Sequence, residues 1–208
     1  MILYYAPTAC SIAPHIALEE IGAEFEARCL DLAKGEQTSP DYLKINPRGR
    51  VPAMVIDGEV VTEVPALLTY IAGLKPDAGL VPPPGTLAYA RCFEWLGFLS
   101  STLHVAYAQF RRRRPVRFLD EGSACWDELS NKGKDMTIAS YCEVERRLGD
   151  GFAVGSYSIA DIYLFPFHGW AWRFDFDIAA DCPKWTALVT RMRGRPAVQR
   201  ALAREGLE

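Results

Sequence analysis

The hydrophobic pattern of residues 1–75 changes repeatedly between the two-residue period of a strand and the longer period of a helix. Short apolar or alternating runs predict strands, and runs with apolar residues three and four apart predict helices. Asp57-Gly58 separates two of these strands, and this dipeptide is a strong signal for a β-hairpin. The predicted order is β-α-β-α-β-β-α, with segments at 2–5, 14–21, 25–30, 42–45, 53–56, 60–61 and from 63 onwards.

The pattern changes after residue 75. Residues 75–85 contain four prolines and two glycines, a composition typical of a linker, and no strand signal follows them. The next apolar positions are three and four residues apart, which predicts helices almost throughout. Ser158 and Asp161 have the spacing of a helix capping box. The sequence therefore predicts an α/β domain at 1–75, a linker at 76–85 and an all-α domain at 86–208.

The composition is that of a globular protein, and it narrows the classes of partner. Half of the 208 residues are hydrophobic, which is enough for a sizeable core. The 23 basic and 26 acidic side chains nearly balance, whereas a nucleic-acid partner normally requires a basic excess. No apolar run approaches the roughly 18 residues of a membrane-spanning helix, and the first residues lack the features of a signal peptide. We therefore expect a cytoplasmic location, with neither nucleic acid nor membrane as a partner.

Six cysteines are scattered along the chain without a CxxC motif or a nearby histidine at metal-ligand spacing. This pattern predicts neither a metal site nor a disulfide framework. Cys10 differs from the other five because it lies just before a predicted helix, where unpaired N–H groups and the helix dipole favour a thiolate. The alternative for Cys10 is a buried structural thiol, which is a common environment for a free cysteine.

Several strings of the sequence resemble those of the cytosolic glutathione transferases, and specifically of their bacterial beta class. They are YYAPTACSIAPHIAL, INPRGRVPA, TEVPALLTYIA, STLH and GSYSIAD, and together they extend over nearly the whole chain. The resemblance implies a thioredoxin-like N-terminal domain that binds glutathione, an all-helical C-terminal domain with the acceptor pocket, and a homodimer. It also implies that Cys10 contacts the glutathione sulfur and can form a mixed disulfide with it. Ser11 is the second candidate for the catalytic group, and Tyr5 is the third.

The resemblance also indicates how glutathione is held. Val51-Pro52 stands where thioredoxin-like folds have a cis proline, which turns the Val51 backbone outward so that an extended peptide can pair with it. Glu63 offers a carboxylate to the γ-glutamyl ammonium, and the Val64 N–H at a helix N-terminus receives the γ-glutamyl carboxylate. Lys34 matches a lysine that reaches the glycyl carboxylate. The alternatives are a trans proline, a glutamate that only offsets the helix dipole, and a solvated lysine. The family usually has serine at position 64, so we expect weaker glutathione binding here.

His104 is predicted to share one face of a long helix with Gly97, Ser101 and Ala108, which are spaced four, three and four residues apart. This small, partly polar face leaves room beside it, and His104 could donate a hydrogen bond to a sulfur or a carbonyl in the interdomain cleft. The resemblance places a cleft histidine at the same position, and a packing histidine is the alternative. Many beta-class members have asparagine at position 97, so glycine is expected to enlarge the second pocket or to lower affinity.

Two classes of function remain open. The first is a glutathione transferase, with glutathione as co-substrate, whose thiolate attacks an electrophilic carbon of an apolar acceptor; thiol–disulfide exchange through Cys10 is a possible side activity. The second is a non-catalytic module of the same fold that binds a ligand or a protein. The residues retained at 10, 52, 63 and 104 favour the enzyme, and the departures at 64 and 97 favour the module. The arginine run at 111–114 is expected to be a solvated helix end, with an acidic co-substrate or a dimer contact as the alternatives.

Overall fold

The computed structural model describes residues 1–110, 124–174 and 176–207. The arginine run at 111–114 lies outside these residues. The described chain forms a four-stranded sheet with helices, followed by further helices. Its strands are β1 (Ile2–Tyr5), β2 (Glu26–Cys29), β3 (Ala53–Ile56) and β4 (Glu59–Thr62), and its helices are α1 (Ile12–Ile21), α2 (Pro40–Ile45), α3 (Val64–Leu74), α4 (Leu87–Phe98), α5 (His104–Phe110), α6 (Ala124–Arg147), α7 (Ile159–His168), α8 (Ile178–Asp181), α9 (Pro183–Arg193) and α10 (Pro196–Arg204).

The sheet has the strand order β2-β1-β3-β4. β1 pairs in parallel with β2 and antiparallel with β3, and β3 pairs antiparallel with β4. Asp57 and Gly58 form the predicted hairpin turn with positive φ angles of 50° and 88°, as a type I′ turn requires. α1 and α3 pack together on one face of the sheet, and α2 covers the other, where Tyr42 packs with Tyr4 and Ala53. The predicted element order of the first 75 residues is confirmed.

The helical half is built around α7, which is buried from Ile159 to Phe167. Its start has the predicted capping box, in which the Ser158 N–H donates to the Asp161 carboxylate at 2.8 Å. The Ala153 N–H donates to the other oxygen of the same carboxylate at 2.7 Å. Burial nevertheless raises the pKa of Asp161 to about 6. The capping box therefore fixes the position of the central helix with a carboxyl group that is removed from water.

The two halves pack against each other through α1, which contacts both α7 and α10. The guanidinium of Arg195 forms an ion pair with Glu20, with 2.6 Å between Nε and Oε1, and so connects α10 to α1. Leu80, inside the predicted linker, is buried, and its carbonyl accepts a hydrogen bond from the Ile159 N–H at 2.9 Å. These contacts give the cleft between the two halves a defined shape.

The long helix predicted after the linker contains an irregularity. α4 passes into a π-helical turn at Leu99–Leu103 before α5 begins. A π turn adds one residue to a helix, so positions before and after it do not keep the α-helical spacing. His104 and Ala108 line the cleft, whereas Gly97 and Ser101 are exposed outside it. The prediction that these four residues share one face is therefore wrong.

Candidate functional site

A cleft of about 1410 Å³ lies between the α/β half and the helical half and is lined by residues of both. The α/β half contributes the loop between β1 and α1, the segment before β3 and the start of α3. The helical half contributes α5, the start of α6, α7 and the turn that follows α7. The predicted site residues that line the cleft are Cys10, Val51, Pro52, Glu63, Val64 and His104.

Cys10 lies in the loop between β1 and α1, two residues before the helix begins. Thr8 in this loop has a φ angle of 63°, a left-handed conformation that is rare for a β-branched residue. The Ser11 hydroxyl accepts a hydrogen bond from the Ala6 N–H at 3.1 Å and donates to the Ala6 carbonyl at 3.2 Å. The indole N–H of Trp170, from the helical half, donates to the Thr8 carbonyl at 2.9 Å. These hydrogen bonds hold the loop that carries the thiol.

The Cys10 thiol is buried, with 7% of the residue exposed, and it donates to the Val51 carbonyl at 3.8 Å. Burial raises the pKa of Cys10 to about 12; the Cys10 backbone N–H lowers this pKa in part, and the nearby Glu63 carboxylate adds to the increase. The N–H groups of Ile12 and Ala13 do not oppose this effect, because they already donate to backbone carbonyls one turn earlier. The prediction of a stabilised thiolate is therefore wrong for this geometry, and Cys10 is a neutral thiol at pH 7.

Ser11 and Tyr5, the second and third candidates for the catalytic group, do not line the cleft. Ser11 is fully buried, and its hydroxyl is engaged with Ala6 as both donor and acceptor. The Tyr5 hydroxyl donates to the Arg204 carbonyl at 3.3 Å, and its ring lies beside His15. Burial raises the pKa of Tyr5. Both hydroxyls hold backbone segments in place, and the predictions that they act on a nucleophile are corrected accordingly.

The start of α3 forms another part of the cleft. Glu63 precedes the helix with a φ angle of 71°, a conformation that costs a non-glycine residue about 1–3 kcal/mol. Val64, the first residue of α3, is buried and lines the cleft. The Glu63 carboxylate accepts a hydrogen bond from the Arg48 guanidinium, and both side chains are exposed. A carboxylate, a guanidinium and a helix N-terminus are thus brought together at one place.

The segment before β3 forms a further part of the cleft. The Val51–Pro52 peptide bond is cis, as predicted. Pro52 is buried, and the half-buried Val51 lines the cleft beside Cys10. The Asn46 side-chain amide and the Tyr42 hydroxyl both donate to the Arg50 carbonyl, the first at 2.7 Å. Two hydrogen bonds therefore fix the backbone immediately before Val51.

Lys34 does not line the cleft. Its ammonium lies 3.2 Å from the Asp31 carboxylate, and 76% of its side chain is exposed. The Lys34 backbone N–H and then its ammonium lower the pKa of Asp31. This geometry corresponds to the alternative of a solvated lysine and does not support the predicted contact with a glycyl carboxylate.

The helical half gives the cleft an aromatic wall. Tyr107 stacks on Trp170 with 4.4 Å between their ring centroids. His104 lies 5.4 Å from the Trp170 ring and 5.5 Å from the Phe167 ring, and it is half-buried at the cleft. His104 is therefore in the cleft, as predicted. Gly97 does not line the cleft, so the prediction that this glycine enlarges the second pocket or lowers affinity is not supported by the structure.

Comparisons with known proteins identify the family. The family model for the glutathione S-transferase N-terminal domain matches residues 1–73. The glutathione S-transferase GstA of Escherichia coli O157:H7 is 32% identical over 211 residues, with 100% of both chains covered. The chain belongs to the glutathione transferase family.

Two solved structures match this glutathione transferase over its whole length. The bacterial beta-class glutathione S-transferase of Sphingomonas chungbukensis has 40% identity and a TM-score of 0.84, with 100% of both chains covered. A sphingomonad glutathione S-transferase complexed with glutathione has 39% identity and a TM-score of 0.84, again with 100% of both chains covered. The predicted family and the predicted fold class are confirmed. The same relatives support the transferase over the non-catalytic module.

The cleft residues of this glutathione transferase that were not predicted from its sequence include Arg48, Trp170 and Arg173. Arg48 lies in the INPRGRVPA string, but nothing in that string indicates that its side chain reaches Glu63. The aromatic cluster around Trp170 was visible in the sequence, although its hydrogen bond to the Cys10 loop was not. Within the described ranges, no group of three or more His, Cys, Asp or Glu residues is arranged to hold a metal ion, and the six cysteines are free thiols.

Proposed function

We propose that this glutathione transferase binds glutathione, its co-substrate, through residues 1–75 and transfers the glutathione thiolate to an apolar electrophile held by residues 86–208. Residues 76–85 link the two domains. The observation that carries the proposal is the shared cleft, in which Cys10, Glu63 and the start of α3 are combined with the aromatic wall of Tyr107 and Trp170. In the reaction, the glutathione thiol loses its proton, a carbon–sulfur bond forms, and the leaving group departs with its bonding electrons.

The charges of glutathione match those of the cleft. In the proposed complex, the γ-glutamyl ammonium pairs with Glu63, and the γ-glutamyl carboxylate accepts from the Val64 N–H at the positive end of α3. Arg48, already beside Glu63, supplies a cation for that carboxylate in addition to the Val64 N–H. The Val51 backbone pairs with the extended middle of the tripeptide. Val64 lacks the hydroxyl of the serine that is usual in the family, so the hydrogen bond from that hydroxyl to the γ-glutamyl carboxylate is missing. A hydrogen bond to a charged group contributes about 1–2 kcal/mol.

Cys10 and His104 act on the glutathione sulfur in this proposal. The Cys10 S–H and a ring N–H of His104 each donate a hydrogen bond to the developing thiolate. Such hydrogen bonds lower the pKa of the glutathione thiol. In the exchange reaction, a Cys10 thiolate attacks the glutathione sulfur of a mixed disulfide, a new disulfide forms with Cys10, and the other thiolate leaves. Because burial raises the pKa of Cys10 to about 12, we propose that conjugation dominates and that exchange is a side activity.

The test compares the full-length chain with its Glu63→Ala and Glu59→Ala variants. Glu59 is exposed on β4, in the same hairpin, and does not line the cleft, so it is the matched control. The readouts are retention on immobilised glutathione and the KM for glutathione in the conjugation of 1-chloro-2,4-dinitrobenzene. We expect wild type and Glu59→Ala to be retained, and Glu63→Ala to lose retention with a KM raised about tenfold or more, as loss of a charge-assisted contact predicts. Absence of wild-type retention and of conjugation would overturn the proposal, and equal behaviour of all three proteins would overturn the role of Glu63.

We also propose a homodimer and a cytoplasmic location. Exposed apolar side chains support the dimer, because a symmetric interface can cover them: Val60 on β4, Tyr70 and Leu74 on the neighbouring helix α3, and Leu87 on α4. Light scattering should give twice the mass of one chain, and the mass of a single chain would contradict the dimer. None of the helices in the described ranges is both long and apolar enough to cross a membrane. The location stays a prediction.

A further inference from the structure

Arg173 places a positive charge in the helical part of the cleft. It lies in a 3₁₀ turn at Ala171–Phe174, and its N–H donates to the Trp170 carbonyl at 3.1 Å. Side chains three residues apart are eclipsed in a 3₁₀ turn, so Trp170 and Arg173 project to the same side, and both line the cleft. The guanidinium carbon of Arg173 lies 4.7 Å from the centroid of the Trp172 ring, a cation–π contact with a residue that is 72% exposed and does not line the cleft.

The charge of Arg173 is not neutralised within the part of the cleft that the structure describes. The two carboxylates of the described lining belong to the α/β half and are engaged there, Asp31 with Lys34 and Glu63 with Arg48. The helical lining over the same described ranges consists, apart from Arg173 and a histidine, of uncharged residues. Arg173 is half-buried, so water screens its charge less than that of a fully exposed arginine. A guanidinium in this setting favours an anion in the acceptor part of the cleft.

We infer that the acceptor is a planar, aromatic-type electrophile that carries a carboxylate, and that Arg173 binds this carboxylate. The inference rests on the proposed function and narrows its substrate class. The rings of Tyr107, Trp126, Tyr163 and Trp170 offer flat apolar contacts to such a molecule. A guanidinium binds a carboxylate through two parallel hydrogen bonds, which fixes the orientation of the acceptor as well as its charge. The carboxylate takes no part in bond making, so Arg173 is a specificity residue rather than a catalytic residue.

Glutathione itself contains a glycyl carboxylate, which is a competing partner for Arg173. The two partners differ in which kinetic constant they affect. An acceptor-binding Arg173 changes the preference between charged and neutral acceptors, whereas a glutathione-binding Arg173 changes the KM for glutathione equally with every acceptor. Kinetics with two acceptors that have the same leaving group but different charge therefore show whether Arg173 binds the acceptor or glutathione.

The experiment uses the full-length chain with two aryl chlorides, the neutral 1-chloro-2,4-dinitrobenzene and the anionic 4-chloro-3,5-dinitrobenzoate. In both, the glutathione sulfur bonds to the ring carbon, chloride leaves with the bonding electrons, and the thiol proton is released. The variants are Arg173→Gln, Arg173→Lys and, as a matched control, Arg91→Gln. Arg91 is exposed on α4, paired with Glu94, and outside the cleft.

The measured quantity is kcat/KM for the anionic acceptor divided by kcat/KM for the neutral one. We expect this ratio to fall about tenfold in Arg173→Gln, as loss of a charge-assisted contact predicts, to recover partly in Arg173→Lys, and to keep its wild-type value in Arg91→Gln. An unchanged ratio in Arg173→Gln overturns the inference. A KM for glutathione that rises equally with both acceptors also overturns it, in favour of the glycyl carboxylate.

Failure of the proposed function is distinguishable from failure of this inference. If wild type conjugates neither acceptor, conjugation is overturned and the inference is decided by binding alone. Tryptophan fluorescence then reports the Kd of the two glutathione conjugates, since Trp126 and Trp170 line the cleft. If Arg173→Gln raises the Kd of the carboxylate-bearing conjugate alone, the inference is supported. If it raises the Kd of both conjugates equally, or changes neither Kd, the inference is overturned.

Discussion

Iodoacetamide alkylation of Cys10 tests the central electrostatic feature of the site, which is that burial raises the pKa of this thiol from 9.0 to about 12. At pH 7 about 10⁻⁵ of such a thiol is ionised, against about 10⁻² of an unperturbed one. The thiolate of a less acidic thiol is more nucleophilic, which partly compensates for its lower abundance. With a Brønsted slope of about 0.4–0.5, the rate constant of the Cys10 thiolate is higher by a factor of roughly 20. We therefore expect Cys10 to react about 50-fold more slowly than an ordinary exposed thiol at pH 7.

The assay is peptide-resolved mass spectrometry of alkylation between about pH 7 and pH 10. Cys142, which is exposed on α6, is the internal reference, and Cys10→Ser confirms the assignment of the peptide. The rate at Cys10 should rise about tenfold per pH unit over the whole range, because the ionised fraction keeps increasing below the pKa. The thiolate predicted from the sequence would instead give a rate that levels off near neutral pH. Such levelling, or equal rates at Cys10 and Cys142 at pH 7, refutes the reasoning.

The same pKa sets the expected effect of Cys10→Ala on catalysis. A neutral thiol contributes one hydrogen bond to the glutathione sulfur, so its removal should lower kcat/KM for conjugation by about threefold to tenfold. Reduction of a glutathione mixed disulfide through Cys10 should be abolished in the same variant. Removal of an essential nucleophile would instead lower conjugation by about a thousandfold or more. A loss of that size would contradict the role of Cys10 as a neutral hydrogen-bond donor.

Three further predictions follow from single contacts. Gly133→Ala should lower the free energy of unfolding by about 1–3 kcal/mol, because an added Cβ would lie 2.4 Å from the Phe110 backbone nitrogen. Gly97→Ala is the control, because an added Cβ there has no neighbour within 4 Å. Equal urea midpoints for the two variants would contradict the predicted destabilisation. Lys34→Ala should change the KM for glutathione less than about twofold, because Lys34 does not line the cleft and its exposed ammonium already pairs with Asp31, and a tenfold rise would restore the original prediction for Lys34. Asp161 has a pKa of about 6 in the folded chain, above its usual 3.8, so its contribution to stability is largest below about pH 4 and is lost as pH rises towards 6. Wild type should lose about 2 kcal/mol of unfolding free energy relative to Asp161→Asn between pH 4 and pH 6, and a pH-independent difference between the two would contradict the sign.

The sequence predicted those features that depend on neighbouring residues. The turn at Asp57-Gly58 and the capping box of Ser158 are each determined within a few positions by backbone conformation or local hydrogen bonds, and both are present. The position of Glu63 beside the cleft also follows from its place at the start of a helix. The family resemblance added the cis bond at Pro52, which is also present and which a Val-Pro dipeptide alone does not predict.

The predictions that failed depend on burial, helix geometry and side-chain pairing that the pattern of residue types does not specify. The pKa of Cys10 is set by desolvation, and the residues that exclude water from it lie on other elements. The π turn at Leu99–Leu103 changes which side of the helix His104 occupies, and an apolar periodicity does not reveal one added residue. Lys34 was assigned to the cleft by resemblance, but its side chain is free to take a local partner, Asp31, three residues away.

The hydrogen bond between the Trp170 indole and the Thr8 carbonyl has a consequence for how the substrate range of this enzyme changes. The same indole stacks on Tyr107, so one side chain belongs both to the surface that selects the electrophile and to the support of the thiol loop. Mutations that reshape the wall at Trp170 therefore also disturb the loop around Cys10. New acceptor specificities are more accessible through positions such as Ala108, which lines the cleft and whose methyl side chain forms no hydrogen bond with that loop, and directed evolution of this cleft should accumulate changes there first.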